Sequence, residues 1–372
     1  FYAPDPSSQI ACTVGGNIAT NSGGAHCLKY GVTVNNLLAV RMVMIDGEIV
    51  EFGGSHLDAP NYDFLPLITG SEGQLGVVTE ATVRLLAAPE GARPVLIGFD
   101  STRDAASCVA AIIGSGILPV AIEFMDRPAI HVCEHFVPAG YPLDAEAALI
   151  VEVEGSEDEI EYLLEKIEDI AQDHNPTSMK RSQSTEESAL IWKGRKAAFG
   201  AIGQISDYMC MDGVIPLAAL PEALDGVSLI CRKYRFDVAN IFHAGDGNLH
   251  PLILYDANDP GQLERAELCG AEILKLCVEL GGCLTGEHGV GIEKRELMYE
   301  QYTDEDIDQQ VRIKEELDPA WLLNPGKVFP ILGRDAVKPS LELTRLDAAS
   351  DGLPPEDDLS DDIQTVESEG RL

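Results

Sequence analysis

The first part of the chain alternates hydrophobic and polar positions in a way that predicts an antiparallel sheet. A strand-like run covers residues 38–45, and Asp46-Gly47 after it is a hairpin signal, so residues 48–52 should pair back as a second strand. Residues 67–86 begin with a glycine-containing turn and continue into a segment rich in Val and Thr, which predicts a third strand.

The pattern changes around residues 87–91, and after them β-like runs alternate with stretches of helical periodicity, which is typical of a separate α+β domain. From residue 331 onward the apolar periodicity is lost, which predicts a disordered tail. The predicted strands lie near residues 94–99, 120–124, 147–153, 237–243 and 249–255, and the predicted helices near 102–115, 156–172, 221–234, 261–280 and 303–317.

The composition is strongly acidic, with a formal net charge of -36 that extends well beyond the tail. Such a surface repels nucleic acid and anionic membranes, so we expect no nucleic-acid partner. A carboxylate substrate would then need a local cationic pocket. Because no apolar run reaches the roughly 18 to 20 residues of a membrane span, we expect no direct membrane insertion and a cytoplasmic location.

Two loop-like segments contain residues that suit a metal ion. His243 and His250 frame one segment, and Glu287-His288 lies in the other. Imidazole and carboxylate ligands from His243, His250 and Glu287 suit a borderline divalent ion such as zinc, and three protein ligands leave a position open for substrate. Hydrogen-bonded histidines in a polar loop remain an alternative, as do a metal-dependent hydrolase and a non-catalytic metal-binding module.

Glycine-rich segments at residues 14–24 and 69–76 indicate backbone that could lie close to a bound molecule. Glycine has no Cβ, so its N–H group can approach a phosphate or a ring closely. On spacing alone, an ordinary turn-rich segment explains residues 14–24 equally well.

Seven motifs, in order, carry a family resemblance: NSGGAHCLKYG (21–31), TGSEGQLGVVTEATVRLL (69–86), GRKAAF (194–199), YMCMDGVIP (208–216), HAGDGNLHPLIL (243–254), TGEHGVG (285–291) and LNPGKV (323–328). Through them the chain resembles, over residues 1–330, the FAD-binding oxidases of the vanillyl-alcohol-oxidase type. The similar branch contains D-lactate dehydrogenases and the flavoprotein subunits of bacterial glycolate oxidases. Any one motif would be weak evidence, but seven in order are not a chance match.

The resemblance implies an α+β fold: the second part of a two-subdomain FAD-binding domain, followed by an α+β cap domain with a mainly antiparallel sheet. It places the first subdomain ahead of Phe1, so the sequence is expected to be truncated. The implied divisions are residues 1–90 for the FAD-binding part, 91–284 for the substrate or cap domain, 285–330 for a segment that returns to the FAD site, and 331–372 for an acidic, disordered tail.

The same resemblance implies the site residues. It assigns His243, His250 and Glu287 to zinc or a similar divalent ion close to the flavin. The implied FAD contacts are Gly15, Gly16, Asn17, Thr20, Asn21, Gly24, Gly70, Ser71, Glu72, Gly73, Leu75, Gly76 and Asn324.

Two residues receive catalytic roles. His288 is expected to be the general base, because a neutral imidazole can accept the hydroxyl proton of a 2-hydroxy acid. Arg195 matches the family position that binds the substrate carboxylate. Phe199 and Cys210 stand where relatives that act on larger acids place polar or cationic residues, which implies a small, monocarboxylic substrate.

The implied activity is FAD-dependent oxidation of glycolate to glyoxylate by hydride transfer to the flavin. A stand-alone D-lactate dehydrogenase that forms pyruvate is the alternative within the fold. The nine cysteines match no common iron–sulfur spacing, so electrons are expected to leave to an acceptor or a partner. The resemblance implies a second FAD-domain subunit and an iron–sulfur subunit, through which the protein could associate peripherally with the inner membrane.

Overall fold

Two antiparallel β-sheets organise the protein, whose computed structural model describes residues 1–56 and 62–330. The smaller sheet uses residues 37–83 and the larger one residues 91–255. Helices pack beside both sheets, so the predicted α+β fold with a mainly antiparallel sheet is confirmed. The tail at residues 331–372, which we predict to be disordered, lies outside the described residues.

The smaller sheet has three strands in the order β2-β1-β3, and its predicted hairpin and third strand are confirmed. The glycine-rich stretch is not a turn throughout, since its first half is a helix whose N-terminus is capped by Thr13 and whose inner face buries Ile18. The elements are α1 (Val14–Thr20), α2 (Cys27–Tyr30), a 3-10 turn (Thr33–Asn36), β1 (Leu37–Val43), β2 (Ile49–Gly53), α3 (Leu65–Ile68) and β3 (Val77–Val83).

The larger sheet contains nine strands in the part of the chain that the structure describes. Its central path runs in the order β7-β4-β6-β5-β10-β11-β9, and β12 pairs with both β10 and β8. Its strands and the helices around it are β4 (Gly91–Phe99), α4 (Thr102–Gly114), β5 (Ala121–Asp126), α5 (Arg127–Phe136), β6 (Ala147–Gly155), α6 (Glu157–Gln172), β7 (Pro176–Arg181), α7 (Thr185–Ile202), β8 (Asp207–Cys210), β9 (Gly213–Val214), α8 (Leu220–Tyr234), β10 (Val238–His243), β11 (Asn248–Leu249) and β12 (Pro251–Tyr255).

The chain then continues through helices towards its C-terminal segment. The amphipathic helix predicted near residues 261–280 and the helix predicted near 303–317 are both present. These elements are α9 (Gln262–Glu279), a 3-10 turn (Arg295–Leu297), α10 (Met298–Gln301) and α11 (Asp304–Leu317).

Both faces of the larger sheet are covered, which is why its central strand β6 is almost wholly buried. Alternate residues of a strand point to opposite faces. In β5, Ile122 and Phe124 join the core formed with α4, α6 and α8, while Met125 joins the core formed with α5 and α7. Glu123 has the same parity as Met125, so its carboxylate points towards the face covered by α5 and α7.

The periodicity did not reveal α7, the helix that carries Arg195. Its sequence interrupts an apolar stretch with Gly194, a poor helix former, and buries a charged residue. The residue at 194 must be small, because a Cβ there would lie 2.6 Å from the hydroxyl oxygen of Tyr141. Tertiary packing, rather than an amphipathic pattern, therefore stabilises this helix.

A buried lysine fastens the C-terminal segment to the turn before β3. Lys314 and Asp318 are fully buried and form an ion pair with an N–O distance of 2.6 Å. The same ammonium donates to the carbonyl oxygens of Gln74, at 2.7 Å, and Leu323, at 2.9 Å. Three acceptors satisfy the three donors of the ammonium, which stabilises a charge in a fully buried site.

An ionic cluster joins the N-terminal segment to the larger sheet. The His26 imidazole lies 3.4 Å from a carboxylate oxygen of Asp5 and 3.7 Å from one of Glu152, on β6. Glu152 also accepts the indole N–H of Trp192, on α7, at 2.7 Å. Burial opposes charge on His26, but its bond to Glu152 and the charge of Asp5 raise its pKa above the ordinary value.

We expect Lys314→Met to lower the free energy of unfolding by about 3 to 5 kcal/mol, because it leaves the Asp318 carboxylate buried without its counter-charge. Urea unfolding followed by circular dichroism measures the change. Lys166→Met is the control, since Lys166 is exposed on α6. Equal stability of the two variants would contradict this account of the C-terminal segment.

We expect His26→Gln to lower stability more at about pH 6 than at about pH 9. The folded-state pKa of His26 is raised, so its stabilising contribution is complete below the ordinary value of 6.5 and is lost as the pH rises through the raised value. The measurement is the difference in unfolding free energy from the parent protein at both pH values. His135→Gln, at an exposed position of α5, is the control and should show no comparable difference.

Candidate functional site

Strand ends and a tight turn place the two predicted metal-binding histidines side by side. Strand β10 ends at His243, and the chain turns through residues 244–247 into β11 and His250. Gly247 has a φ of 77°, and a Cβ there would collide with the carbonyl oxygen of Ile215. The histidines are 4% and 2% exposed, and their ring centroids lie 5.2 Å apart.

Glu287 completes a group of three potential ligands. Its Oε1 lies 3.5 Å from Nε2 of His243 and 3.3 Å from Nε2 of His250. One ligand atom from each residue lies within 4.8 Å of the other two. The Oε2 accepts the backbone N–H of Gly23 at 2.8 Å, so the glycine-rich N-terminal segment lies directly against this group.

The second nitrogen of each imidazole is also engaged, as is usual for histidines that bind a metal. His243 Nδ1 lies 2.7 Å from Oε1 of Glu123, and His250 Nδ1 lies 3.4 Å from the carbonyl oxygen of Met211. These contacts leave both Nε2 atoms facing Glu287. The donor set and its orientation fit a borderline divalent cation.

Electrostatic coupling within this group is strong. Burial opposes a charge on His243, but the carboxylates of Glu123 and Glu287 raise the pKa of the imidazole well above its ordinary value. Burial also opposes ionisation of Glu287, yet the two imidazoles hold the pKa of that carboxyl well below its ordinary value. The carboxylates therefore favour positive charge among the ligands, which a divalent cation would provide.

His288 lies beside the group rather than within it. Its ring stacks on that of His250, with centroids 5.1 Å apart and an interplanar angle of 6°. Burial lowers the pKa of His288, and the nearby His250 and Lys294 lower it further against the opposing effect of Asp212. A lowered pKa keeps the imidazole neutral near neutral pH, so it can accept a proton.

Asp212, which the sequence motifs did not single out, holds the loop that carries Glu287 and His288. Its fully buried carboxylate accepts N–H groups from the loop, including that of His288 at 3.0 Å, and the ammonium of Lys294 at 3.0 Å. It also accepts the hydroxyl of Thr285 at 2.6 Å. Burial opposes its ionisation, but Lys294 and the neighbouring imidazoles hold its pKa at about 2.

Arg195 reaches the same region from α7. Its Nε donates to Oε2 of Glu123 at 2.9 Å, while Oε1 of that carboxylate contacts His243. Burial opposes ionisation of Glu123, but Arg195 and His243 lower its pKa. One buried carboxylate thus joins the predicted substrate anchor to a predicted metal ligand.

The N-terminal segment presents features that fit a phosphate-containing cofactor. Val14, Gly15 and Gly16 form the exposed first turn of α1, where Thr13 caps the helix by accepting the N–H of Gly16 at 2.9 Å. Helix N-termini with accessible N–H groups attract phosphate. A Cβ built on Gly15 would have no neighbour nearer than 3.9 Å, which leaves open space in front of the turn.

The remaining residues predicted to contact FAD here also have contacts within the protein. Asn17 is buried, and Thr20 Oγ1 lies 2.8 Å from Oγ of Ser22. Asn21 has a φ of 54° and accepts the N–H of Val34 at 2.9 Å. Gly24, with a φ of 128°, lies so close to the backbone of Asp5 that a side chain would not fit.

Glu72 connects three segments of the predicted FAD site. Its carboxylate accepts the N–H groups of Val290, at 2.6 Å, and Gly291, at 2.8 Å. Its carbonyl oxygen accepts Nδ2 of Asn324 at 2.7 Å. The turn at residues 69–76, the loop at 285–291 and the C-terminal segment therefore meet at this residue, whose predicted FAD contact stays a prediction.

Packing within the protein also involves the other predicted residues of this turn. Gly70 N donates to the carbonyl oxygen of Ile18 at 2.8 Å, and Ser71 N donates to that of Ile68 at 3.1 Å. Leu75 is buried. A Cβ on Gly73 would lie 2.6 Å from Nδ2 of Asn324, and one on Gly76 would lie 2.7 Å from Sδ of Met42.

The fold thus brings His243, His250, Glu287 and His288 together and joins Arg195 to them through Glu123. Sequence reasoning missed Glu123 and Asp212 as site residues. A signal existed for Glu123, because a charged residue interrupts an otherwise apolar strand, Ala-Ile-Glu-Phe-Met. For Asp212 the signal was its place inside a family motif, which does not reveal what the carboxylate contacts.

Comparison with known proteins shows the family to which the chain belongs. Residues 88–328 match the family "FAD linked oxidases, C-terminal domain", and residues 1–53 match "FAD binding domain". In structure, the chain is similar to 4-ethylphenol oxidase from Gulosibacter chungangensis, with a TM-score of 0.68, 15% identity, and coverage of 86% of this chain and 70% of that one. At that identity the likeness concerns the fold alone.

Curated relatives are closer in sequence. The chain is 50% identical over 337 residues to the glycolate oxidase subunit GlcD of Escherichia coli K12, covering 90% of this chain and 68% of the relative. It is 38% identical over 331 residues to GlcD of Bacillus subtilis, covering 88% and 70%. D-lactate dehydrogenases are more distant relatives. Because the family match spans more than half of the chain and contains the clustered site, the chain belongs to the FAD-linked oxidases and is an FAD-dependent oxidoreductase.

Proposed function

We propose that the protein oxidises a small 2-hydroxy acid, glycolate, to glyoxylate and transfers the electrons to FAD. The observation that carries this proposal is a buried guanidinium, Arg195, joined through one carboxylate to a group of metal ligands beside a neutral imidazole. These are the groups needed to bind a carboxylate, hold a hydroxyl and remove its proton. The similarity to glycolate oxidase subunits supports the choice of acid.

Arg195 is the proposed anchor for the substrate carboxylate. The residue is 2% exposed, and its Nη2 lies 2.6 Å from Oε2 of Glu123 without an aligned hydrogen bond. The guanidinium carries five N–H donors, and its contacts with Glu123 use only some of them. A substrate carboxylate could accept from the others in a planar, bidentate geometry.

His288 is the proposed general base. Its lowered pKa and its stacking on His250 place a neutral imidazole next to the metal ligands. It would accept the hydroxyl proton of the substrate, while the hydrogen on the carbon that bears this hydroxyl would leave with its electron pair as a hydride, for which FAD would be the acceptor. Asp212 would hold the backbone of His288 in place during this transfer.

Two groups would complete the chemistry. FAD accepts the hydride equivalent, and we propose that its binding residues are those of the first turn of α1, the turn at 69–76 and Asn324. His243, His250 and Glu287 would hold a divalent cation, zinc or similar, which lowers the pKa of a hydroxyl bound to it. The backbone N–H of Gly23 donates a hydrogen bond to Glu287, which supports a short distance between the FAD site and the cation site.

Bulky and apolar groups near His250 support a small substrate. The ring of Phe199 lies 6.2 Å from that of His250, and Cys210 lies within the cluster formed with His250 and His288. Neither side chain can pair with a second carboxylate. A metal-dependent hydrolase or a bare metal-binding module would leave the FAD-binding match unexplained, so we do not propose either.

We also propose the wider organisation. Residues 1–90 would form the FAD-binding part, 91–284 the cap domain and 285–330 the segment that returns to FAD. A partner with a second FAD domain and an iron–sulfur partner would take up the electrons, in keeping with the naming of the relatives as subunits. None of the helices in residues 1–56 and 62–330 is long and apolar enough to cross a membrane. We propose a cytoplasmic location with peripheral membrane contact through the partners.

Anaerobic mixing of the full-length protein with glycolate should bleach the flavin absorbance, because electrons from the substrate reduce FAD. D-lactate and L-lactate are tested in parallel. Faster reduction of the flavin by D-lactate would show that D-lactate, rather than glycolate, is the preferred substrate. The His288→Ala variant should bind flavin but should not reduce it with glycolate. Flavin bleaching in this variant would show that His288 is not the base.

We expect Arg195→Met to raise the KM for glycolate roughly 10- to 100-fold, because a charge-assisted hydrogen bond is lost. Steady-state kinetics with an artificial electron acceptor measures it. Arg195→Lys keeps the charge without the planar fork and tests the binding geometry if the Met variant fails to fold. Lys193→Met, at an exposed position of the same helix, is the control. Unchanged KM in both Arg195 variants would place the carboxylate elsewhere.

A further inference from the structure

Glu123 lies where the strands and α7 bring the site together. It is the third residue of β5 and stands directly opposite His243 of β10 in the sheet register. Residues opposite each other on neighbouring strands project to the same face, here the face that α7 covers. The Glu123 side chain has no exposed surface.

Both carboxylate oxygens of Glu123 are engaged, each by a different part of the site. Oε1 lies 2.7 Å from Nδ1 of His243, and Oε2 accepts Nε of Arg195 at 2.9 Å. The guanidinium balances the charge of the carboxylate, so burial of Glu123 does not leave an isolated anion.

We propose that Glu123 is a positioning residue that sets His243 and Arg195 as one unit, so that cation binding and binding of the substrate carboxylate both depend on this side chain. The proposal rests on the proposed function for the role of Arg195. Its cation part rests only on the ligand group of His243, His250 and Glu287.

The orientation of His243 explains the cation part. An imidazole that binds a cation through Nε2 must carry its proton on Nδ1, and an acceptor at Nδ1 fixes both that tautomer and the ring plane. Glu123 is that acceptor. Without it, the ring could turn away from Glu287 and His250, and cation affinity would fall.

The orientation of Arg195 explains the substrate part. Its Nε bond to Glu123, and the approach of Nη2 to 2.6 Å from the same carboxylate oxygen, fix the plane of the guanidinium. A guanidinium whose plane can rotate binds a carboxylate less well through two parallel hydrogen bonds. Loss of the Glu123 carboxylate would therefore weaken carboxylate binding even though the charge of Arg195 remains.

A glutamine at this position tests the need for two acceptor oxygens. The two side chains have the same shape, but the amide of glutamine offers one oxygen and an NH₂ group that cannot accept a hydrogen bond. It can accept from His243 or from Arg195, and it presents a donor to the other. Glu123→Gln therefore keeps the volume and breaks the bridge.

The experiment measures Zn²⁺ affinity and substrate kinetics separately for the parent protein, Glu123→Gln and Glu152→Gln. Affinity is obtained by competition with a chromophoric chelator after metal removal, without substrate. Glu152 is the matched control, because it is buried on the neighbouring strand β6 and contacts α7 through Trp192. It has no hydrogen bond or ion pair with His243 or Arg195 among those found in the described residues.

We expect Zn²⁺ affinity to fall about 10- to 100-fold in Glu123→Gln, as for loss of other groups that orient metal ligands. We expect the KM for glycolate to rise about tenfold or more, because the Arg195 guanidinium loses the fixed orientation in which it binds the substrate carboxylate. Incomplete filling of the cation site should also lower kcat. Excess Zn²⁺ should restore kcat but leave KM raised, since added cation refills the ligand group without reorienting Arg195. A merely structural role would not separate the two constants in this way.

Other results would overturn the proposal. They are an unchanged Zn²⁺ affinity, an unchanged KM, or equal losses in Glu152→Gln. Circular dichroism and flavin absorbance check that the variant is folded, and Glu123→Asp takes its place if it is not. The shorter carboxylate cannot reach both partners at their present distances, so the same two constants should change.

Failure of the proposed function would look different. If the parent protein does not reduce its flavin with any of the three hydroxy acids, the proposed substrate fails. A loss of Zn²⁺ affinity in Glu123→Gln would still establish that Glu123 orients His243. Failure of the inference alone would leave glycolate oxidation intact in the parent protein and Zn²⁺ affinity equal in all three proteins.

Discussion

The antiparallel pairing of β5 with β10 is the constraint on which the site depends. Its register places Glu123 opposite His243 at the end of a strand, with the backbone of both residues fixed by the sheet. Functional groups on strands are positioned more accurately than groups on loops. His250 follows β11 in the same sheet. The other site residues come from α7, where Glu123 holds Arg195, and from the loop at 285–291, which Asp212 holds, so the sheet supplies the reference position for them.

Buried charge is the second organising feature. Asp212 receives donors from the loop at 285–291 and from Lys294, and Lys314 donates to Asp318 and to two carbonyl oxygens. Asp212 and Lys314 each have a counter-charge and further hydrogen bonds, which is the condition under which buried ions are tolerated. These networks fix two irregular segments, the loop at 285–291 and the turn at 318–323. Asp212 thereby fixes the irregular segment that carries Glu287 and His288.

Much of the architecture followed from local patterns. The hairpin around Gly47, the strands β4, β5, β6, β10 and β12 of the larger sheet and the helices α4, α6 and α9 were predicted, because alternation and helical periodicity reflect burial on one face or two. Helix α7 was not, since its buried face includes Gly194 and Arg195 rather than a stripe of apolar residues. The first half of the glycine-rich stretch is a helix, because Thr13 caps its N-terminus and Ile18 packs into the core. A local pattern with four glycines does not predict that helix.

The sequence by itself determined which chemical groups are available: three ligands of metal-binding type, an imidazole beside them, one matching arginine, and glycine motifs that identify the family. It also determined the α+β class, because periodicity is a local property. Only the tertiary structure decided that Glu123 joins His243 to Arg195, that Asp212 holds the loop of His288 and that Glu72 ties that loop to Asn324. These contacts join residues far apart in the chain, and their formation depends on sheet register and helix packing, which no local pattern encodes.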